Sequence, residues 1–194
     1  MKNGKSKTIA FLGVMSAVIF VVLLLETQVF SVILPISPCF LSLPLSISLC
    51  IWGGWKKMFI GGTIIGCCSF IMSFMFPQFI AFANPLISIL PRVLFGIVAF
   101  GVYKGVKKIT AKSENKFLNS ILPDSIAGIT GAVVNTVLVV TMLFLFKFTG
   151  IEDAIAVVLS VNAVTEIVCS AILVPIIAGT IRKYYRVDQK DEEE

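Results

Sequence analysis

The chain has 194 residues, of which 57% are hydrophobic and only 14% charged, with a formal net charge of +5 and a mean hydropathy of +0.99. A soluble domain of this length must present a polar exterior and cannot hide so much apolar surface, and a disordered chain would contain far less of it. What remains is a polytopic membrane protein. The absence of His removes His-based triads, His metal sites and His proton relays.

A helix needs about 20 mostly apolar residues to cross a ~30 Å hydrocarbon core. Such runs occur at 8–25, 40–53, 58–76, 85–103, 121–146 and 154–181. The first is basic and then apolar, as a signal peptide would be. It ends in Leu-Leu-Leu-Glu-Thr-Gln without a small-x-small cleavage pattern, so it is expected to stay as the first helix. The second is short if it stops at Gly53, so its start is expected further back, after Pro35. Pro35, Pro38 and Pro44 make that entry irregular. The expected fold is an all-α bundle of six transmembrane helices. Residues 1–187 form a single membrane domain, and 188–194 form an acidic cytoplasmic tail.

The charges give an independent check. Lys2, Lys5 and Lys7 precede the first run, and Lys56 and Lys57 separate the second and third. Lys104, Lys107, Lys108, Lys112 and Lys116 separate the fourth and fifth, and Arg182, Lys183, Arg186 and Lys190 follow the sixth. With six spans, 14 of the 16 basic residues fall on one side. The opposite loops hold Glu26, Glu152, Asp153 and Lys147. The positive-inside rule then places both termini in the cytoplasm, in a multi-pass protein of the cell membrane. The positive charge is a set of membrane anchors and implies no nucleic acid partner.

No GxxxxGK[ST] motif is present, so the chain does not itself hydrolyse ATP. The five cysteines show no metal-ligand spacing, and most fall within apolar runs, where a thiol behaves as a small hydrophobe. No pair of intramembrane acids stands at catalytic spacing. These features exclude a metal site and argue against an enzyme.

Ionisable groups inside a membrane are costly and mark functional sites by default. Arg92 lies about eight residues into the fourth run, directly after a proline that frees a backbone carbonyl and bends the helix. Glu166 lies near the middle of the sixth run, with Asn162 four residues earlier on the same face. Asn135 and Thr136 reach similar depth in the fifth. A structural Arg92–Glu166 ion pair and interhelical hydrogen bonds from Asn135 and Asn162 are the bland alternatives. The segments 77–84 and 26–39 are ordinary loops or lids over such a site. Small residues recur at four-residue spacing at Gly13/Ala17, Gly62/Gly66 and Gly128/Ala132, a pattern that lets helices approach closely.

The stretch Asn84-Pro-Leu-Ile-Ser-Ile-Leu-Pro-Arg-Val-Leu-Phe-Gly-Ile-Val-Ala-Phe-Gly-Val-Tyr-Lys104 resembles the fourth helix of the substrate-binding S components of energy-coupling factor (ECF) vitamin transporters. Gly131-Ala-Val-Val-Asn-Thr-Val-Leu-Val139 is similar to that family's fifth helix. Val161-Asn-Ala-Val-Thr-Glu-Ile-Val, continuing to Leu-Val-Pro175, is similar to its sixth. The resemblance covers residues 8–183 and is looser before residue 84. It implies a subunit that captures a water-soluble vitamin outside the cell. That subunit then works with a transmembrane coupling subunit and two cytosolic ATPase subunits, which use the ATP. It also implies a coupling contact on the Gly13/Ala17 face, although alanine is usual where Gly13 stands. The Pro-Leu-Ile-Ser-Ile-Leu-Pro-Arg pattern is most like the pantothenate and hydroxymethylpyrimidine branch. For pantothenate, Arg92 would be the counter-charge to the carboxylate. Asn84, Asn135, Asn162, Thr165 and Glu166 complete the expected binding set. Riboflavin, folate and hydroxymethylpyrimidine are alternative vitamins. The competing classes are an ion-coupled secondary transporter of a small organic anion and a ligand-free assembly subunit. A secondary carrier calls for coupling acids and repeated halves. Only Glu166 qualifies as such an acid, and residues 1–100 do not resemble 101–194.

Overall fold

A computed structural model describes residues 3–30, 39–54, 58–111, 117–148, 150 and 161–190. Its elements in chain order are α1 (Asn3–Phe30), α2 (Ser42–Gly53), α3 (Ile60–Met75), a 3-10 turn (Pro77–Ala83), α4 (Pro85–Ser88) and α5 (Leu90–Thr110). A π-helical turn (Phe117–Ile121) then leads into α6 (Leu122–Leu145), and α7 (Val161–Lys190) closes the chain. Among the described residues there is no strand. Among the described residues four stretches are long and apolar enough to cross a membrane: Ser6–Val29, Pro85–Thr110, Asn119–Leu145 and Ala163–Tyr184. The apolar helices α2 and α3 are shorter, with 12 and 16 residues, so they extend only about 18 and 24 Å.

Three boundaries depart from the sequence expectation. α1 runs past Leu25 to Phe30, so Glu26 lies inside a helix and not in a loop. α2 starts at Ser42, later than expected, and residues 31–38 are outside the described set. The fourth run is broken at Ile89 and extends to Thr110, which puts Lys104, Lys107 and Lys108 on the helix itself. The expected start of the last run, at residue 154, is also outside the described residues; its helix continues through Asp188 to Lys190.

α2 sits at the centre, touching α1, α3, α5, α6 and α7. Nine of its residues are buried, from Ser42 to Ile51. A helix buried all round must satisfy its own polar groups. Its serines do so locally: Ser46 Oγ donates to the Ser42 carbonyl at 2.9 Å and Ser48 Oγ to the Pro44 carbonyl at 2.8 Å. Pro44 stands in the first turn, where an N–H would have no helical partner. Leu43, Ile47, Ile65, Met72, Phe95 and Ala99 build the core around it.

The outer helices show the opposite pattern. On α1, Val14, Val18, Val21, Leu25 and Val29 are exposed, and on α7 Val164, Val168, Ile172 and Ile176 are exposed. Each set recurs at helical spacing on one face. Water would penalise such stripes, whereas lipid accepts them.

Around Tyr103, α5, α6 and α7 are tied by charge. The Asp124 carboxylate, 1% exposed, forms an ion pair with Arg182. Arg182 Nη1 and Lys107 Nζ each donate to the Tyr103 hydroxyl at 2.8 Å. A Tyr103→Phe variant removes the oxygen that both cations share. It is expected to destabilise the bundle by about 1–2 kcal/mol, since hydrogen bonds to charged groups carry somewhat more than neutral ones. Unfolding of wild type and variant in mixed micelles measures this difference.

Candidate functional site

The α4–α5 break positions Arg92. Asn84 caps α4, its Oδ1 accepting the Leu86 N–H at 3.0 Å. Pro91 has no N–H to give to the Ile87 carbonyl one turn earlier. The Arg92 side chain takes that place: its Nη1 donates to the Ile87 carbonyl at 2.9 Å and to the Ser88 carbonyl at 3.1 Å. The Pro-Arg pair is therefore one unit, in which the proline opens the backbone and the arginine satisfies it. α3 holds this unit from behind. Gly62 and Gly66 face Arg92 and the Ser88–Ile89 backbone, and Ser88 Oγ donates to the Gly66 carbonyl at 2.8 Å. From the front, the Phe82 ring covers the guanidinium, with 4.7 Å between its centroid and the Arg92 Cζ. Of the segment 77–84, Pro77–Ala83 thus reach the site as a 3-10 turn packed on α3.

Arg92 is 7% exposed. It forms no ion pair with Glu166, and among the described residues its Nε and Nη2 have no protein acceptor. Both Glu166 and Cys39 lie within Coulombic reach of it. Glu166 instead accepts the Cys39 backbone N–H at 3.0 Å through Oε1, and Thr136 Oγ1 approaches its Oε2 at 3.5 Å. This joins α7, α6 and the segment entering α2.

Glu26 completes the wall. α2 has no side-chain cap of its own, and α1 supplies one. Glu26 accepts the backbone N–H of Leu41, that of Ser42 at 3.3 Å and the Ser42 hydroxyl at 2.6 Å. Two carboxyl groups on α1 and α7 therefore hold the residues 39–42 from either side, with Arg92 nearby.

The structure brings Arg92, Glu166 and Thr136 into one polar region. Asn135, next to Thr136 in sequence, is 9% exposed, and among the described residues its Oδ1 has no hydrogen-bond partner, so the alternative of an interhelical bond is not met at that oxygen. Thr165 is half-buried, one residue before Glu166. Asn84 acts as a helix cap eight residues before Arg92. Asn162 stands in the first turn of α7, and its side chain is outside what the structure describes. Gly13 and Ala17 are exposed on α1, and a Cβ at Gly13 would meet nothing within 4 Å. The other two small-residue pairs serve internal packing: Gly62 and Gly66 against the α4–α5 break, and Gly128 against Ser170 of α7. Sequence reasoning missed two buried acids, Glu26 and Asp124. Glu26 directly follows a leucine run and Asp124 lies within the fifth run, and either position is a signal for an intramembrane carboxyl group.

A helical bundle with long apolar helices, lipid-facing stripes and a buried cation in reach of a carboxyl group defines a multi-pass membrane protein. The chain is similar to the pantothenic acid transporter PanT of Lactococcus lactis subsp. cremoris (strain MG1363). The two are 29% identical over 204 residues, covering 94% of this chain and 97% of that protein. No protein-family model matches the chain.

Proposed function

We propose that this chain is the substrate-binding S component of an ECF-type importer and that its substrate is pantothenate. In this reading it has six membrane-crossing helices with both termini in the cytoplasm. A transmembrane coupling subunit and two ATPase subunits, all on other chains, supply the energy. The resemblance of the three C-terminal helices and the similarity to a pantothenic acid transporter across nearly the whole chain support it. The ladder of basic residues supports the orientation, and topology reporters fused at either terminus test it.

The observation that carries the substrate is Arg92. A buried guanidinium that, among the described residues, has no ion pair and two unclaimed donor groups is set to receive an anion. Pantothenate carries a carboxylate together with hydroxyl and amide groups. Glu166 and the orphaned Asn135 oxygen are acceptors suited to the donors among these. A secondary carrier would use Glu166 for ion coupling, yet Glu166 holds the Cys39 backbone, which ties it to the architecture of the site.

The test is calorimetry on the purified chain with pantothenate and with the alcohol in which CH2OH replaces its carboxylate. Wild type is expected to bind pantothenate without ATP and to prefer it to the alcohol. Arg92→Ala is expected to weaken pantothenate binding by roughly 10–150-fold, the worth of charge-assisted hydrogen bonds. The alcohol should be nearly unaffected. Unchanged pantothenate affinity in the variant refutes the carboxylate role. Uptake that persists without an ATPase partner and collapses with the ion gradient supports the carrier.

A further inference from the structure

We infer that Phe82 is a positioning residue that fixes the Arg92 guanidinium so that a carboxylate is received side-on, by Nε and Nη2. The inference rests on the reading of Arg92 as the carboxylate-binding group and adds how that group is aimed. A free arginine can grip a carboxylate through its two terminal nitrogens or through Nε and one of them. Here Nη1 is occupied by the Ile87 and Ser88 carbonyls at 2.9 and 3.1 Å. Those bonds turn the terminal edge towards the protein backbone. The Nε–Nη2 edge is the one left for a ligand.

Two hydrogen bonds through a single nitrogen still allow the plane to rotate about them. The Phe82 ring, 4.7 Å from Cζ, removes that freedom because a guanidinium over an aromatic face is held by the ring quadrupole. The ring also excludes water from one face and strengthens the electrostatic interactions there. Phe82 is itself constrained, since the turn that bears it, Pro77–Ala83, is packed on α3, the same helix whose glycines back Arg92. The α3 glycines seat the Arg92 backbone, and Phe82 on the turn holds the guanidinium at its far end. A lysine at position 92 would satisfy a carbonyl but present no planar edge.

The experiment measures Kd for pantothenate and for its CH2OH analogue on purified wild type, Phe82→Ala, Phe82→Leu, Phe82→Trp and Arg92→Ala. Melting temperatures of all five establish folding. Phe82→Ala and Phe82→Leu are expected to reduce the preference for the carboxylate about 3–30-fold, the span of a partly to fully desolvated cation–π contact. Affinity for the alcohol should stay unchanged, and Phe82→Trp should retain the preference. Equal weakening of both ligands, or a Leu variant indistinguishable from Trp, overturns the positioning role. If Arg92→Ala abolishes the preference and Phe82→Ala leaves it intact, the role of Phe82 falls while that of Arg92 stands. If wild type shows no preference, the reading of Arg92 falls and this inference with it.

Discussion

A Gly62→Ala variant is expected to lose about 3 kcal/mol of stability or more, at the upper end of what overpacking costs. It is also expected to lose ligand binding. An added Cβ would overlap the Arg92 carbonyl oxygen and lie 2.6 Å from the Arg92 carbonyl carbon and 3.2 Å from the Val93 nitrogen. Backbone cannot rotate aside as a flexible side chain can, so α3 and α5 must separate. The adjacent Gly61 faces α2 in the same close manner, against the Ser46 carbonyl and with the Cys50 Sγ at 2.9 Å. The two glycines stand about 100° apart on α3 and seat one helix against two neighbours. Gly101→Ala is the control: it lies in α5 with nothing within 4 Å. There alanine is expected to be neutral or to stabilise by up to about 1 kcal/mol through its helix propensity. Unfolding in mixed micelles and the pantothenate titration read both effects. If Gly62→Ala melts and binds as wild type, the close approach of α3 to the Arg92 backbone is wrong.

That example shows what was legible in the residues and what was not. Length and apolarity alone fixed the long helices, because the requirement to cross hydrocarbon is itself a statement about length and apolarity. The Gly62/Gly66 spacing signalled a close helix contact, and the proline before Arg92 signalled a break with a freed carbonyl. The partners could not be read. Which helix faces the glycines, and the fact that Arg92 itself satisfies the carbonyl, depend on how helices pack around α2. α2 misled for a related reason: 12 residues are too few to cross by themselves, and a boundary extended to meet that length overran the segment 39–41. Its short form works because another helix supplies its cap. Glu26 was hidden because charge after an apolar run reads as the end of a span, whereas α1 continues one more turn and takes the carboxyl group into the bundle.

Replacing Glu26 by Ala is therefore expected to be the most damaging single change at the α2 end of the site, costing about 3 kcal/mol or more as three neutral donors lose one acceptor. The first N–H groups of any helix lack intrahelical acceptors. At α2 those of Leu41 and Ser42, with the Ser42 hydroxyl, are directed at this one side chain. Glu26 is 3% exposed and Ser42 0%, so water cannot replace the acceptor lost to the Ser42 N–H and hydroxyl, and each orphaned buried group carries a desolvation cost of about 1–3 kcal/mol. Glu26→Gln keeps one acceptor oxygen for the backbone N–H groups, and Ser42 can turn its hydroxyl to accept from the new amide. Its loss should accordingly be no more than about half that of the Ala variant. The order wild type, Gln, Ala in unfolding free energy distinguishes a cap from a requirement for charge, under which Gln would fall as far as Ala. Binding should follow the same order, because loosening of residues 39–42 frees the Cys39 N–H that Glu166 holds at 3.0 Å and so releases Glu166 from its place beside Arg92.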